Sequence, residues 1–244
     1  MTGGPSSDLE ILFRVGLAVQ RTVRDAAGSP HRADVVAMSA GGTPTEEIGR
    51  VDRGGARSLV VDPIDGTSNA LRHLPFSTVS LALGAGNLDG VDAALVRDLD
   101  RGTTYWAERG RGAFRDGRPI RTRRRRPHGE VVFLNLGHHA GERSTRLAGT
   151  VRRVRSLGCA SLEMMMVAQG SADAYLFENR EAPRNLRVTD IAASYRIVLE
   201  AGGGLSTADG RPLGPLPLGM EERTSVFAWG DAEVGRAFAR GEFP

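Results

Sequence analysis

The sequence contains no lysine; every basic residue other than histidine is an arginine, and there are 32 of them. So complete a replacement reads as genome composition rather than as a functional device. The chain also lacks the Gly-x-x-x-x-Gly-Lys phosphate loop, which argues against an ATPase of that type. A single cysteine, Cys159, excludes an internal disulfide and fits a reducing compartment. No stretch approaches the roughly 18 apolar residues of a membrane span. Met1 to Ser7 carries neither the charged start nor the apolar stretch of a secretory leader. A cytoplasmic location without membrane attachment is therefore expected. His138 and His139 stand side by side with no further ligand spacing, and read as a loop pair rather than a zinc site.

What is present is ordinary for a globular protein. Over 244 residues, 40% are hydrophobic and 25% charged, enough for one large α/β domain or two small ones with a sizeable core. The 32 glycines predict many tight turns. The formal net charge is +3, and its densest cluster is Arg121 with Arg123, Arg124, Arg125 and Arg126. That cluster reads as a solvated surface loop in preference to a nucleic-acid contact. No aromatic residue interleaves with it, so it does not suggest a stacking platform for single strands.

Apolar residues recur at helical spacing from Ser6 to Ala27 (Leu9, Leu12, Phe13, Leu17, Val19, Val23), with Ser6 or Ser7 as cap and Gly28 then Pro30 as stop. Ser58 to Val61 reads as a buried strand running into an aspartate. Further strands are expected near 78–83, 93–96, 103–107, 131–136, 174–177 and 225–229, with Gly110 to Gly117 as a hairpin loop. Helices are expected over 161–169, 190–201 and 231–240, the second stopped by Gly202-Gly203-Gly204. Strands flanked by helices imply a layered α/β or α+β sandwich.

The chemistry concentrates in Asp62-Pro63-Ile64-Asp65-Gly66-Thr67. Pro63 fixes φ and biases Asp62 to extended backbone, so both carboxylates can turn to one side. Hard cations such as Mg²⁺ take carboxylate oxygens, and Gly66-Thr67 can open a helix whose free N–H groups hold a phosphate. The competing reading is an aspartate-capped turn with no metal; the buried strand and the Gly-Thr pair favour the metal. Two further acidic elements are ambiguous by themselves. Glu46-Glu47 also reads as a solvated pair, and Asp190 as a plain helix cap.

Together these elements resemble the inositol monophosphatase superfamily, nearest to its archaeal branch of inositol monophosphatases and fructose-1,6-bisphosphatases. The first signature is the whole of 62–67; the second lies within Thr189 to Gly203; Gly158 to Met164 and Glu108 to Ile120 are similar to intervening family segments. The resemblance implies a layered αβαβα sandwich acting as one phosphatase unit, with a metal-binding half over about 1–128 and a substrate half over about 129–244. It implies two or three Mg²⁺ held by Glu46, Asp62, Asp65, Asp190 and the Ile64 carbonyl. Thr67 with Glu46 would orient the attacking water, and the amides of Gly66 and Thr67 would hold the phosphate. Gly158, Cys159, Ala160, Glu178 and Arg187 would lie near the sugar. The implied activity is hydrolysis of inositol monophosphate, fructose 1,6-bisphosphate or both, by a homodimer, with no covalent phosphoenzyme. Alternatives are a 3′-phosphoadenosine 5′-phosphate phosphatase, or a catalytically weak member with a binding role. One departure stands out. Gly42-Thr43-Pro44-Thr45 runs straight into Glu46-Glu47, where the family places a helix bearing an aspartate and then a strand. The segment from Ala40 to Arg53 is therefore expected to be the weak point of the site.

Overall fold

The computed structural model describes residues 6–27, 56–124, 130–182, 185–219 and 221–242. The expectations for Glu46, Glu47 and the turn before them lie outside the described residues.

Helix α1 spans Ser7–Ala27, and Ser6 caps it by accepting from Leu9 N at 3.3 Å. Its buried face is Leu9, Leu12, Gly16 and Gln20. Leu17, expected on that face, is exposed, and Gly16 takes the close approach to the sheet, where an added Cβ would lie 3.2 Å from Leu95.

Six strands follow: β1 Ser58–Asp65, β2 Thr78–Gly84, β3 Val91–Asp98, β4 Thr104–Glu108, β5 Gly112–Arg115 and β6 Arg118–Ile120. They pair antiparallel in chain order to form one sheet. The expected hairpin loop at 110–117 thus contains a strand of its own: β4 and β5 pair through Trp106 and Phe114, which stack 4.1 Å apart. A short helix, α2 (Thr67–Leu71), interrupts the path from β1 to β2.

The second sheet is built from β7 Val131–Leu134, β8 Arg153–Arg155, β9 Ala174–Phe177, β11 Gly204–Ser206 and β13 Val226–Trp229, in the order β11-β13-β9-β7-β8. Here β7 runs parallel to both β8 and β9. A two-stranded ribbon joins β10 (Leu186–Arg187) to β12 (Arg223–Thr224). The remaining helices are α3 Glu142–Thr150, α4 Ala160–Ala168, α5 Val188–Glu200 and α6 Ala232–Ala239.

The core divides by layer. One face of the first sheet (Val61, Val79, Leu81, Leu95) packs on α1. Its other face (Val60, Ala82, Ala94, Val96) packs on α4 and α5, whose far sides meet Phe133, Tyr175 and Val226 of the second sheet. The outer face of that sheet packs on α3 and α6 through Leu147, Val234 and Ala237. Among the described residues the order is helix, sheet, helix pair, sheet, helix pair: an αβαβα sandwich. Its middle helices are buried on nearly every side, α4 enclosing Ser161 and Glu163 and α5 enclosing Ser194 and Arg196.

Candidate active site

Strand β1 reaches the site by losing its register. Asp62 pairs with Ser80 and Asp65 with Thr78, so three residues of β1 answer two of β2. Pro63 has no N–H to donate to a ladder, which suits it to this bulge. Asp62 is buried, and its Oδ1 accepts from Ile64 N at 3.1 Å, closing a tight local turn. Ile64 is packed among the residues facing α1, while its carbonyl accepts from Thr67 Oγ1 at 2.8 Å. Gly66 follows at φ 82°, a left-handed conformation; an added Cβ would lie 2.5 Å from Phe76 O. Thr67 then opens α2 and is solvent-exposed.

Asp65 meets the segment that precedes α4. Its Oδ2 accepts from Ser161 N and Ser161 Oγ, both at 2.6 Å, and from Cys159 Sγ at 3.4 Å. Ser161 Oγ also lies 2.5 Å from Thr78 Oγ1. Asn69 Nδ2 joins the same two segments, donating to Phe76 O, Leu157 O and Gly158 O. Residues 62–67 and 158–160, proposed from sequence as parts of one site, are thus adjacent.

Asp190 lies in the first turn of α5. Arg187 N donates to its Oδ2 at 2.9 Å and Thr189 Oγ1 to its Oδ1 at 3.1 Å; the cap position itself is Arg187, and Asp190, three residues on, reaches back to it where Thr189 or Asp190 was expected as the cap. The buried Tyr175 phenol is pushed well up, chiefly by burial and then by the charges of Glu163, Asp65, Cys159 and Asp190. Glu178 is placed differently. Its carboxylate turns to the start of α3, accepting from Arg143 N at 2.8 Å and Arg143 Nη1 at 3.1 Å. The backbone N of Arg187 is given to Asp190.

The interior behind the site is polar. Burial raises Asp65 against the lowering effect of the Ser161 bonds, and raises the Cys159 thiol well above its ordinary range. Glu163 is pushed up to about 8 by burial, opposed by the N–H of Leu157, which it accepts at 2.5 Å. Cys159 therefore stays a protonated, buried thiol, unfit as nucleophile or metal ligand. Sequence reading missed Asn69, Thr78, Ser161 and Glu163. The available signal was a polar residue inside an apolar run, as Glu163 stands between Leu162 and Met164.

The donors Asp62, Asp65, Asp190 and the Ile64 carbonyl are all hard oxygens, which fits Mg²⁺ rather than a softer metal. Among the described residues no group of three or more His, Cys, Asp or Glu side chains comes together to hold a metal.

The family model described as inositol monophosphatase family matches residues 34–233. A fructose-1,6-bisphosphatase/inositol-1-monophosphatase of Methanothermobacter thermautotrophicus is 32% identical over 92% of each chain. A bifunctional NADP phosphatase/NAD kinase of Methanococcus maripaludis is 28% identical over 89% of this chain and 46% of its own. The inositol monophosphatase-II structure from Staphylococcus aureus superposes with a TM-score of 0.80 over 98% of this chain and 96% of its own, at 19% identity, a likeness of fold. The chain belongs to the inositol monophosphatase family, a family of metal-dependent phosphatases, and is a phosphoric monoester hydrolase.

Proposed function

We propose that this protein is a Mg²⁺-dependent phosphatase of small sugar or polyol phosphates, acting on inositol monophosphate, fructose 1,6-bisphosphate or both. The observation that carries the reading is the bulged corner at 62–67, where β1 loses register between Asp62 and Asp65 and the Ile64 carbonyl accepts from the exposed Thr67. Asp62, Asp65, Asp190 and Ile64 O would hold the cations, with Glu46 as a further ligand. Bound Mg²⁺ supplies charge neutralisation and Lewis acidity, without which clustered carboxylates would repel a phosphate dianion. The chain's own part is positional. Thr67 with Glu46 orients the water, the amides of Gly66 and Thr67 receive the phosphoryl oxygens, and Gly158 to Ala160 with Arg187 border the sugar, while Glu178 is left out because its carboxylate is bound at the start of α3. We further propose a cytoplasmic homodimer, for which sedimentation at the 26.0 kDa of one chain would be the contrary result.

The test is phosphate release from inositol 1-phosphate, fructose 1,6-bisphosphate, NADP and 3′-phosphoadenosine 5′-phosphate, with and without chelator. Activity should vanish on chelation and return with Mg²⁺. Asp65→Asn should lower turnover by more than about a hundredfold, near 3 kcal/mol of barrier, with the fold retained. Full turnover in excess chelator would sink the metal mechanism. A preference for 3′-phosphoadenosine 5′-phosphate would favour the alternative named above, and a preference for NADP would match the activity in the name of the Methanococcus maripaludis relative. Comparing Glu46→Gln with Glu47→Gln tests which glutamate serves the site.

A further inference from the structure

On the outer layer of the second sheet lies a cleft of about 960 Å³. Its walls are α3, the chain after β9, the turn at 208–210 and the end of α6. The volume is at the upper end of the range for small-molecule sites. None of Asp62, Asp65, Thr67 and Asp190 lines it.

Its charge is unbalanced. Arg143, Arg146, Arg180 and Arg240 line it against two carboxylates, Glu142 and Asp209. Asp209 is already committed, accepting from Thr207 Oγ1 and from Arg211 Nε. Arg143 and Arg146 stand three residues apart on α3, on neighbouring turns, where like charges repel. Arg143 is held by Glu178 at 3.1 Å and Arg240 by Glu242 at 2.6 Å, while the guanidinium of Arg146 has no hydrogen-bond or ion-pair partner among the described residues. The end of α6 makes no demand on these cations. Gly241, at φ 71°, gives its N–H to Phe238 O and Glu242 gives its own to Ala237 O, so the last turn is closed internally. Beside the arginines the half-buried Phe238 supplies an apolar floor, and Leu147 lies fully buried in the core below it.

We infer that this cleft is a second anion site, distinct from the phosphatase centre, that takes a small organic phosphate: a dianion for the arginines joined to an apolar or ring-bearing body for the floor. Guanidinium groups match phosphate oxygens in geometry as well as charge. A dianion there competes with Glu178 for Arg143, and Glu178 begins the stretch that leads through β10 to Asp190.

The test is calorimetric titration of the full chain in chelator with phenyl phosphate and, separately, inorganic phosphate. Chelator stops hydrolysis and removes metal from the phosphatase centre, so the outcome does not depend on the proposed activity. Phenyl phosphate should bind with Kd at or below about 1 mM and more tightly than inorganic phosphate. The double substitution Arg146→Ala with Arg180→Ala, both exposed positions, should weaken binding at least about tenfold, while Asp65→Asn leaves it within about twofold. No binding of either probe at about 10 mM overturns the proposal. So does binding that survives the arginine substitutions but is lost in Asp65→Asn. Equal affinity for the two probes overturns the role of the apolar floor.

Discussion

Asn69 has two amide hydrogens to give and three carbonyls within reach: Phe76 O at 2.9 Å, Leu157 O at 2.7 Å and Gly158 O at 3.3 Å. One hydrogen is therefore shared, and a single buried side chain ties the β1–β2 connection to the segment entering α4. Asn69→Ala leaves these carbonyls short of a donor, and about 2 to 3 kcal/mol of unfolding free energy should be lost in urea denaturation. Asn69→Asp should cost more, because it turns a carboxylate toward carbonyl oxygens. A loss below about 0.5 kcal/mol in both variants would show that the tie is dispensable. Glu163 offers a test in pH. Its carboxyl is pushed up to about 8 in the fold and has an ordinary value of 4.5 when unfolded. Between these values the folded chain binds the extra proton, so the stabilisation is complete below the lower value and is lost as pH rises through the upper one. In metal-free protein the unfolding free energy should fall by a few kcal/mol between about pH 5 and pH 8, and Glu163→Gln should flatten that slope. An identical slope in the variant would assign the titration to another group.

Gly66 is the hinge between strand β1 and helix α2. Any side chain there meets both a left-handed φ of 82° and the Phe76 carbonyl, and Cys159 Cβ lies 3.2 Å away. Gly66→Ala should cost about 1 to 3 kcal/mol of stability, and its turnover should fall further than the unfolded fraction explains, because Asp65 and Thr67 flank the shifted turn. Turnover equal to wild type in the folded fraction would argue that the corner tolerates movement. This corner was readable in the sequence because every cause of it is local: an apolar run, a proline, two aspartates three apart, a glycine. The helices over 160–168 and 188–200 were readable for the same reason, with boundaries off by a residue or two. Helix α3 was not. Leu147 is the one large apolar side chain in Glu142–Thr150, and the start of the helix is fixed by Glu178, distant in sequence and near only in the fold. Ser161 and Asn69 were overlooked on the same ground, since their partners lie 96 and 88 residues away. Glu178, placed beside the sugar by resemblance, turns to Arg143 through contacts that no motif encodes.

At the scale of the whole molecule the two sheets differ in how the chain visits them. In the first sheet every strand pairs with the one before it. In the second, β9 lies between β7 and β13, and β13, the last of these strands in the chain, inserts between β9 and β11. The first sheet therefore closes short loops, while the second waits for chain made much later, and closing longer loops costs more entropy before any contact rewards it. This has a consequence in time. Pulsed hydrogen exchange during refolding should find the amides of β2, β3 and β4 protected in an earlier phase than those of β9 and β13. Thr78 and Ser161 belong to these two histories, one on β2 and the other at the start of α4. The carboxylate of Asp65 then acquires its Ser161 partner only in the later phase. Phosphatase competence on refolding should accordingly track the late protection of β9 and β13, and its appearance with the early phase would refute this order.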